Sequence, residues 1–382
     1  MDKIYIKDER LHSGMDKYLK PEYVYIQVEN NDSYNIGDYI YKNDINFCSP
    51  VSGYVVGYDY KFVNSTTKSR VIVIENDYKE KHKINKYVFN KEKLFDTLIA
   101  NNLLDSYDEY DIKYLIINAI DFEPFVFSKR LYIEKDTSEI LMIIDNIMDK
   151  MNIDKAVLAV VNDSKYDNLF NYIGTYPNIK MVKVNNYYPV SNNKTLLKEL
   201  FGISYHKSSL EKKIWILDLL SLMDVNSIIK NNRISNEKII TIGGKGITNT
   251  VIVVKIGTSL KEIIKYLGGY RMNDISITIG GPLSGRQISS DDIVITRDIA
   301  AIFITKEQTV KEKECISCGK CNSVCPIHLV PVFIMKNINN ISNLKKLGTE
   351  KCTECGLCSY ICPSYINLKD YIIKAKEMIA DE

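Results

Sequence analysis

Cys315-Ile316-Ser317-Cys318-Gly319-Lys320-Cys321-Asn322-Ser323-Val324-Cys325-Pro326 has the form C-x2-C-x2-C-x3-C-P, and Cys352-Thr353-Glu354-Cys355-Gly356-Leu357-Cys358-Ser359-Tyr360-Ile361-Cys362-Pro363 repeats it. A cubane iron–sulfur cluster needs four thiolates at the corners of a tetrahedron. Three cysteines on one tight loop supply three corners, and the fourth must approach from elsewhere. In two-cluster proteins the last cysteine of each run crosses to the other cluster. The spacing therefore predicts two [4Fe–4S] clusters, one on Cys315, Cys318, Cys321 and Cys362, the other on Cys352, Cys355, Cys358 and Cys325. Gly319 and Gly356 let the backbone curl around the cube and aim N–H groups at sulfur, and Pro326 and Pro363 turn the chain away after the crossing ligand. Eight cysteines can also hold two structural zinc ions, but zinc has no use for the x3-C-P element or for its symmetric doubling. A radical S-adenosylmethionine site uses a single three-cysteine loop.

The rest of the composition is ordinary. The chain has 382 residues, 45% hydrophobic, and a formal net charge of +2. It is long enough for several domains and a core without staples. Near-balanced charge argues against nucleic acid as a main partner. The N-terminus, Met1 to Arg10, alternates charged with apolar residues and lacks a signal-peptide core. No stretch approaches the roughly 18 apolar residues of a spanning helix. The expected location is cytoplasmic, or peripheral on the inner face of the cell membrane through a complex. In that reducing compartment cysteines serve as metal ligands more often than as disulfides. Eight of the nine fall within residues 315–362; Cys48 stands alone and reads as a small buried residue in a hairpin.

Working outward, the pattern predicts a multidomain α/β chain. Residues 1–84 carry β-branched or aromatic runs (Val24–Val28, Tyr39–Tyr41, Tyr54–Tyr58, Val71–Glu75) between turn signals, as in a small barrel or sandwich. Residues 85–235 alternate strand runs (Tyr114–Ala119, Ala156–Val161, Lys180–Val184) with helical spacing such as Ile140, Ile143, Ile144, Ile147 and Met151. That order implies right-handed crossovers and a Rossmann-like parallel sheet, although no G-x-G-x-x-G follows any strand. Residues 236–308 hold strands Ile239–Ile242, Val251–Ile256 and Ile275–Ile279 with a helix, Ser259–Leu267, between the last two: a small α/β domain of ubiquitin-like size. Residues 309–382 form the cysteine domain, with a helix opening at Pro331 and a last helix from about Ile366.

This order of parts resembles the RnfC-like family: the C subunit of the Rnf ion-pumping ferredoxin:NAD oxidoreductase and its relatives, among them the proline reductase-associated electron-transfer protein. The likeness is carried by Asn46-Phe47-Cys48-Ser49-Pro50-Val51-Ser52-Gly53-Tyr54-Val55 and Val73-Ile74-Glu75-Asn76-Asp77 in the barrel, Ile117-Asn118-Ala119 with Glu123-Pro124 at the strand end, the glycine turn Ile277–Gly285, and the cysteine runs. The resemblance implies a barrel-sandwich domain, a Rossmann-like domain, an SLBB-like β-grasp domain and a C-terminal two-cluster ferredoxin-like α domain. It also implies that the Rossmann-like domain can bind FMN and take hydride from NADH. Two elements of the family's flavin site are altered. Its glycine-rich phosphate loop is represented by Asn101-Asn102-Leu103-Leu104-Asp105-Ser106-Tyr107-Asp108, whose side chains and acids oppose phosphate. Its Gly-Gly-Glu-Lys after Tyr-Pro becomes Val190-Ser191-Asn192-Asn193-Lys194 after Tyr188-Pro189. FMN is therefore expected to be absent, with the Rossmann-like domain left as a docking surface. Glu123 then reads as a surface or turn carboxylate rather than an acid–base group.

The remaining features read blandly. His12, His82, His206 and His328 form no i,i+4 ligand pair and read as surface or packing residues, with a bond from His328 to a cluster as the sharper alternative. Gly243-Gly244-Lys245-Gly246 is too short for a phosphate loop and reads as a turn; the apolar face of the last helix reads as core. The expected function is one-electron relay through the two clusters, without bond-making catalysis, between redox partner proteins of ferredoxin, Rnf or reductase type. The alternative is an FMN-dependent NADH-oxidising subunit that feeds the clusters. A third reading makes the chain an assembly scaffold with structural clusters.

Overall fold

A computed structural model describes residues 4–5, 17–29, 34–42, 49–64, 66–82, 89–104, 112–202, 213–307 and 310–382. The expected role of Cys48 and those of His12 and His206 fall outside these residues, as does 105–108 of the expected phosphate-loop segment.

Two short strands open the chain, β1 (Ile4–Tyr5) and β2 (Lys17–Tyr18). Four more, β3 (Tyr23–Gln27), β4 (Tyr39–Ile40), β5 (Gly53–Phe62) and β6 (Lys68–Asn76), form an antiparallel sheet in the order β3-β6-β5-β4. The β5–β6 hairpin closes where the Asn64 side-chain oxygen accepts from the N–H groups of Thr66 and Thr67. Val24, Val51, Val55, Ile72 and Ile74 face one small core.

The next region contains α1 (Lys91–Ala100), β7 (Tyr114–Asn118), α2 (Ser128–Met151), β8 (Lys155–Val161), α3 (Leu169–Ile173), β9 (Ile179–Val184), β10 (Tyr187–Tyr188), α4 (Asn193–Phe201), β11 (Ile214–Asp218) and α5 (Leu222–Asn231). A fully parallel sheet runs β11-β7-β8-β9. In β7, Leu115 and Ile117 join the core beneath α2 and α5, while Ile116 joins the core beneath α4. Burial on both faces explains an unbroken apolar run. β11 is not anticipated from the sequence, and its placement beside β7 puts the strand-order switch between those two.

A six-stranded mixed sheet follows, from β12 (Glu237–Gly243), β13 (Thr250–Lys255), β14 (Ile275–Ile279), β15 (Arg286–Ile288) and β16 (Ala301–Lys306) with β2, in the order β15-β14-β16-β12-β13-β2. Helix α6 (Leu260–Tyr266) is capped by Ser259 and packs Leu260, Ile263 and Ile264 against it. The first two strands thus depart from the expected 1–84 unit: β2 extends this sheet, and β1 pairs with β10. Gly243–Gly246 forms the expected turn after β12.

The last region is helical: α7 (Lys320–Ser323), α8 (Pro331–Lys336), α9 (Ile341–Lys346), α10 (Leu357–Tyr360) and α11 (Leu368–Ala380). Leu368, Ile372 and Ala375 of α11 join Ile334 and Leu344 in its core, as the helical spacing predicts. Among the described residues no helix is long and apolar enough to cross a membrane.

Candidate metal centre

The two cysteine runs repeat in backbone as well as in sequence. Left-handed residues fall at matching places: Ser317 and Glu354 (φ 56° and 57°), Gly319 and Gly356 (73° and 77°), His328 and Tyr365 (59° and 57°). Each glycine stands immediately before a one-turn helix, α7 or α10. The backbone N–H of Ser317 donates to the Cys315 sulfur at 3.4 Å, and the N–H of Glu354 donates to the Cys352 sulfur at 3.4 Å. The Leu329 N–H donates to Cys325 Sγ at 3.2 Å. These left-handed residues curl each loop so that its N–H groups face inward, which suits an anionic sulfur-rich guest.

Cys315, Cys318, Cys321 and Cys362 line one cavity of about 230 Å³, with Ile316, Phe333 and Lys336 at its rim. Cys318 is exposed. Burial, with the nearby Cys318 and Cys315, raises the Cys321 thiol above its ordinary range. The other four thiols form a second group. Burial pushes Cys358 up to about 12, with Cys355, Cys352 and Cys325 adding to it, and pushes Cys355 up to about 11. Cys352 and Cys325 are raised by burial as well. Four crowded thiols resist joint deprotonation in water-poor surroundings; bound iron supplies the positive charge that reverses this. The thiols surround a space rather than gather on one point. Among the described residues, no three His, Cys, Asp or Glu side chains lie close enough to hold a single ion.

The surroundings of the two loops differ. The first is tied within its own module: Lys313 N–H donates to Ser364 O at 2.9 Å, Ser364 Oγ to Glu314 O at 2.9 Å, and Asn367 N–H to Glu312 Oε1 at 2.8 Å. The second is also gripped from other regions. Tyr188 Oη donates to the Cys355 carbonyl at 2.6 Å. Tyr188 packs with Val324, Leu357, Leu283 and Cys355. The Leu283 carbonyl sits so close to Gly356 that a Cβ there would overlap it. From within the module, Lys376 of α11 donates to the Cys352 carbonyl at 3.3 Å and pairs with Glu354.

Leu283 belongs to the glycine turn after β14, and that turn is held by Glu123. The Glu123 carboxylate accepts from Leu283 N–H at 2.6 Å, from Ser284 N–H at 2.8 Å and from the Ser284 hydroxyl. Lys369 donates to the carbonyls of Ser284 and Gly285, both at 2.9 Å. Glu123 is only 2% exposed, and burial raises its pKa above the ordinary carboxylate value against the pull of these donors. The expectation of a surface carboxylate is thus corrected: it does stand in a turn, but buried, because three donors compensate its desolvation. Its neighbour in the chain, Pro124, follows an apolar strand; no spacing rule announces a partner 160 residues away. Tyr188, Lys369 and Lys376 are equally silent in sequence. His328 is exposed, and its side chain is not packed in the core.

Around the expected flavin position, Asn118 is buried, and its amide donates to Ser191 O at 2.7 Å. Where β7 and β11 end there is a cavity of about 180 Å³ bordered by Asp121, Asp218, Asp224, Lys129, Lys238 and Arg297. Lys129 is already engaged, with Asp218 at 2.5 Å and the Ile120 carbonyl at 2.9 Å. Arg297 is engaged with Asp224 at 3.1 Å and Ser235 O at 2.6 Å. Small-molecule sites usually offer about 300 Å³ or more, and a phosphate here would meet four carboxylates, those of Asp121, Asp218, Asp224 and Glu237.

Fold and site define a class: a mixed α/β chain that joins a Nuo51-like domain to a dicluster iron–sulfur domain. The family described as the Nuo51 FMN-binding domain matches residues 93–232, and the 4Fe-4S dicluster domain matches residues 314–366. The particular likeness is to the C subunit of Rnf complexes, as the sequence predicts. The chain is 29% identical over 277 residues to the C subunit of the ion-translocating oxidoreductase complex of Buchnera aphidicola, covering 69% of this chain and 58% of that protein. It is 26% identical to the C subunit of the proton-translocating ferredoxin:NAD(+) oxidoreductase complex of Clostridium ljungdahlii, covering 56% and 49% respectively. The chain thus spans about half the length of the curated relatives it matches. In fold it is similar to a chain of an NAD+-reducing [NiFe]-hydrogenase in the air-oxidized state, with a TM-score of 0.51 at 10% identity, covering 76% of this chain and 63% of that one.

Proposed function

We propose that this chain is an electron-transfer iron–sulfur protein, part of a larger redox assembly, that relays single electrons through two [4Fe–4S] clusters. Cys315, Cys318, Cys321 and Cys362 hold one cluster; Cys352, Cys355, Cys358 and Cys325 hold the other. The carrying observation is the doubled loop, whose left-handed residues and N–H bonds to sulfur repeat, with the first four thiols around one cavity. The clusters supply one-electron chemistry. The chain's residues do the rest: backbone N–H groups bond the sulfurs, the module's apolar core keeps water from Cys321, Cys325 and Cys358, and crossed ligation keeps the centres adjacent.

The setting is an Rnf-like complex or a soluble reductase system, with redox proteins as partners and peripheral, cytoplasmic placement. Within this reading 1–84 is a barrel-sandwich domain, 85–235 Rossmann-like, 236–308 an SLBB-like β-grasp domain and 309–382 the cluster domain, with β1 and β2 as arms onto neighbouring sheets. The exposed Cys318 marks the first cluster as the one that meets partners. We read the chain as flavin-free, on the carboxylates and the engaged Lys129 at the strand ends.

A second reading, an FMN-dependent NADH-oxidising subunit, is favoured by the match to the Nuo51 FMN-binding domain. One anaerobic preparation decides: iron, acid-labile sulfide and extracted flavin measured together. The expected result is about eight irons per chain and no flavin. One FMN per chain, with clusters reduced by NADH, establishes the second reading instead.

A further inference from the structure

We infer that Glu123 is a positioning residue for the second cluster: it locks the glycine turn 280–285 onto the loop Cys352–Cys358 and so sets that cluster's potential from outside its own domain. This rests on the two-cluster reading above.

The turn is gripped with polarity. Its N–H groups, from Leu283 and Ser284, point to the Glu123 carboxylate; its carbonyls, from Ser284 and Gly285, point to the Lys369 ammonium. Both charged groups are buried, at 2% and 5% exposure. Burying an acid and a base to hold one surface-type turn is costly unless its position matters. The turn also fits without slack. A Cβ at Gly281 would overlap the Glu123 carboxylate, and one at Gly356 would overlap the Leu283 carbonyl. The cluster loop is therefore packed directly on the turn, and the turn directly on Glu123.

Tyr188 completes the lock. Its hydroxyl holds the Cys355 carbonyl at 2.6 Å. The carbonyl and N–H of one trans peptide point in opposite directions, so fixing the Cys355 carbonyl also fixes where the Gly356 N–H points. Hydrogen bonds and nearby charge are what set a cluster's potential. A carboxylate held behind the turn that packs on this loop favours the cluster's oxidised form. Among the described residues the first loop has no counterpart to this grip.

The test is an EPR-monitored redox titration of the purified full chain, comparing wild type with Glu123→Gln and Tyr188→Phe, with iron counted in each. Glu123→Gln removes the charge and turns an amide N–H toward existing donors. The expected result is that one of the two reduction steps becomes easier by about tenfold in its equilibrium constant, about 59 mV for one electron, while the other stays put. Tyr188→Phe should move the same step by a smaller factor. Should Glu123→Gln fail to fold, Tyr188→Phe decides alone. Full iron with neither step moved, or with both moved equally, overturns the inference. A wild type without clusters overturns the two-cluster reading itself.

Discussion

The two cysteine loops are nearly the same object placed in two different settings. Ligand spacing, left-handed residues, the short helix after the glycine and the N–H bond to the first cysteine all repeat. One loop looks outward, with Cys318, Ile316 and Phe333 exposed around its cavity. The other is pressed between Tyr188, the turn at Leu283 and Lys376. A motif specifies the cluster; what the motif leans on specifies how the cluster behaves. On the reading proposed above, the outer one would meet partners and the inner one would have its potential tuned from outside the module.

The sharpest break in this comparison comes from one methyl group placed at equivalent positions. Gly319→Ala and Gly356→Ala both put a side chain at positive φ, which costs about 1–2 kcal/mol. Around Gly319 there is nothing within 4 Å of the added carbon, whereas at Gly356 it meets the Leu283 carbonyl. Backbone cannot step aside as a side-chain tip does, so overpacking adds roughly 1–3 kcal/mol. Gly319→Ala should therefore keep its iron and lose a few degrees in apparent melting temperature. Gly356→Ala should lose more of both. Equal losses would mean that the turn does not brace the second loop.

That contrast was invisible in the sequence, although its two ends were not. The cysteines and the glycines beside them were legible because local geometry dictates both: a tight loop around a cube fixes spacing and demands positive φ. The parallel sheet was legible because strands buried on both faces form unbroken apolar runs, as β7 and β8 do. β11 was hidden for the same reason in reverse. Its run, Ile214 to Asp218, flows into Leu219, Leu220 and Leu222 without a boundary, and a short apolar run cannot by itself be told from a helix. β1 and β2, two residues each, are too short to show a period. The burial of Glu123 is not legible because burial is a property of the partner surface. Leu283 lies 160 residues on, with Ser284 beside it, and nothing near Glu123 in the chain records them.

A second contrast concerns attack from solvent. With Cys318 of the outer set exposed and Cys358 and Cys325 of the inner set buried, a chelator or mild oxidant reaches the outer cluster first. Iron release should be biphasic, about half in each phase if each cluster holds four irons. The EPR signal lost first should belong to the step that Glu123→Gln leaves unmoved. A single phase, or early loss of the other signal, would contradict the assignment of inside and outside.

The smallest effect is the response to pH. Burial raises the Glu123 carboxyl above its ordinary 4.5, with donors from Leu283 and Ser284 and the charge of Lys369 working the other way. Tyr188, itself raised by burial, stays a neutral phenol and adds no titration in the accessible range. The sign follows. In the folded chain the proton stays on above the ordinary carboxylate range, so this group's contribution to stability is full below about 4.5 and is lost as pH rises through the folded value. The same proton cancels the charge beside the inner cluster. Its potential should therefore be higher in mild acid and fall as pH rises above the ordinary carboxylate range, by at most the shift expected of Glu123→Gln, while the outer cluster stays nearly level. Glu123→Gln should flatten the inner curve at its high-potential end. If the slope persisted in that variant, the pH response would have to come from a proton bound elsewhere, and the two loops would differ for a reason other than the carboxylate behind the turn.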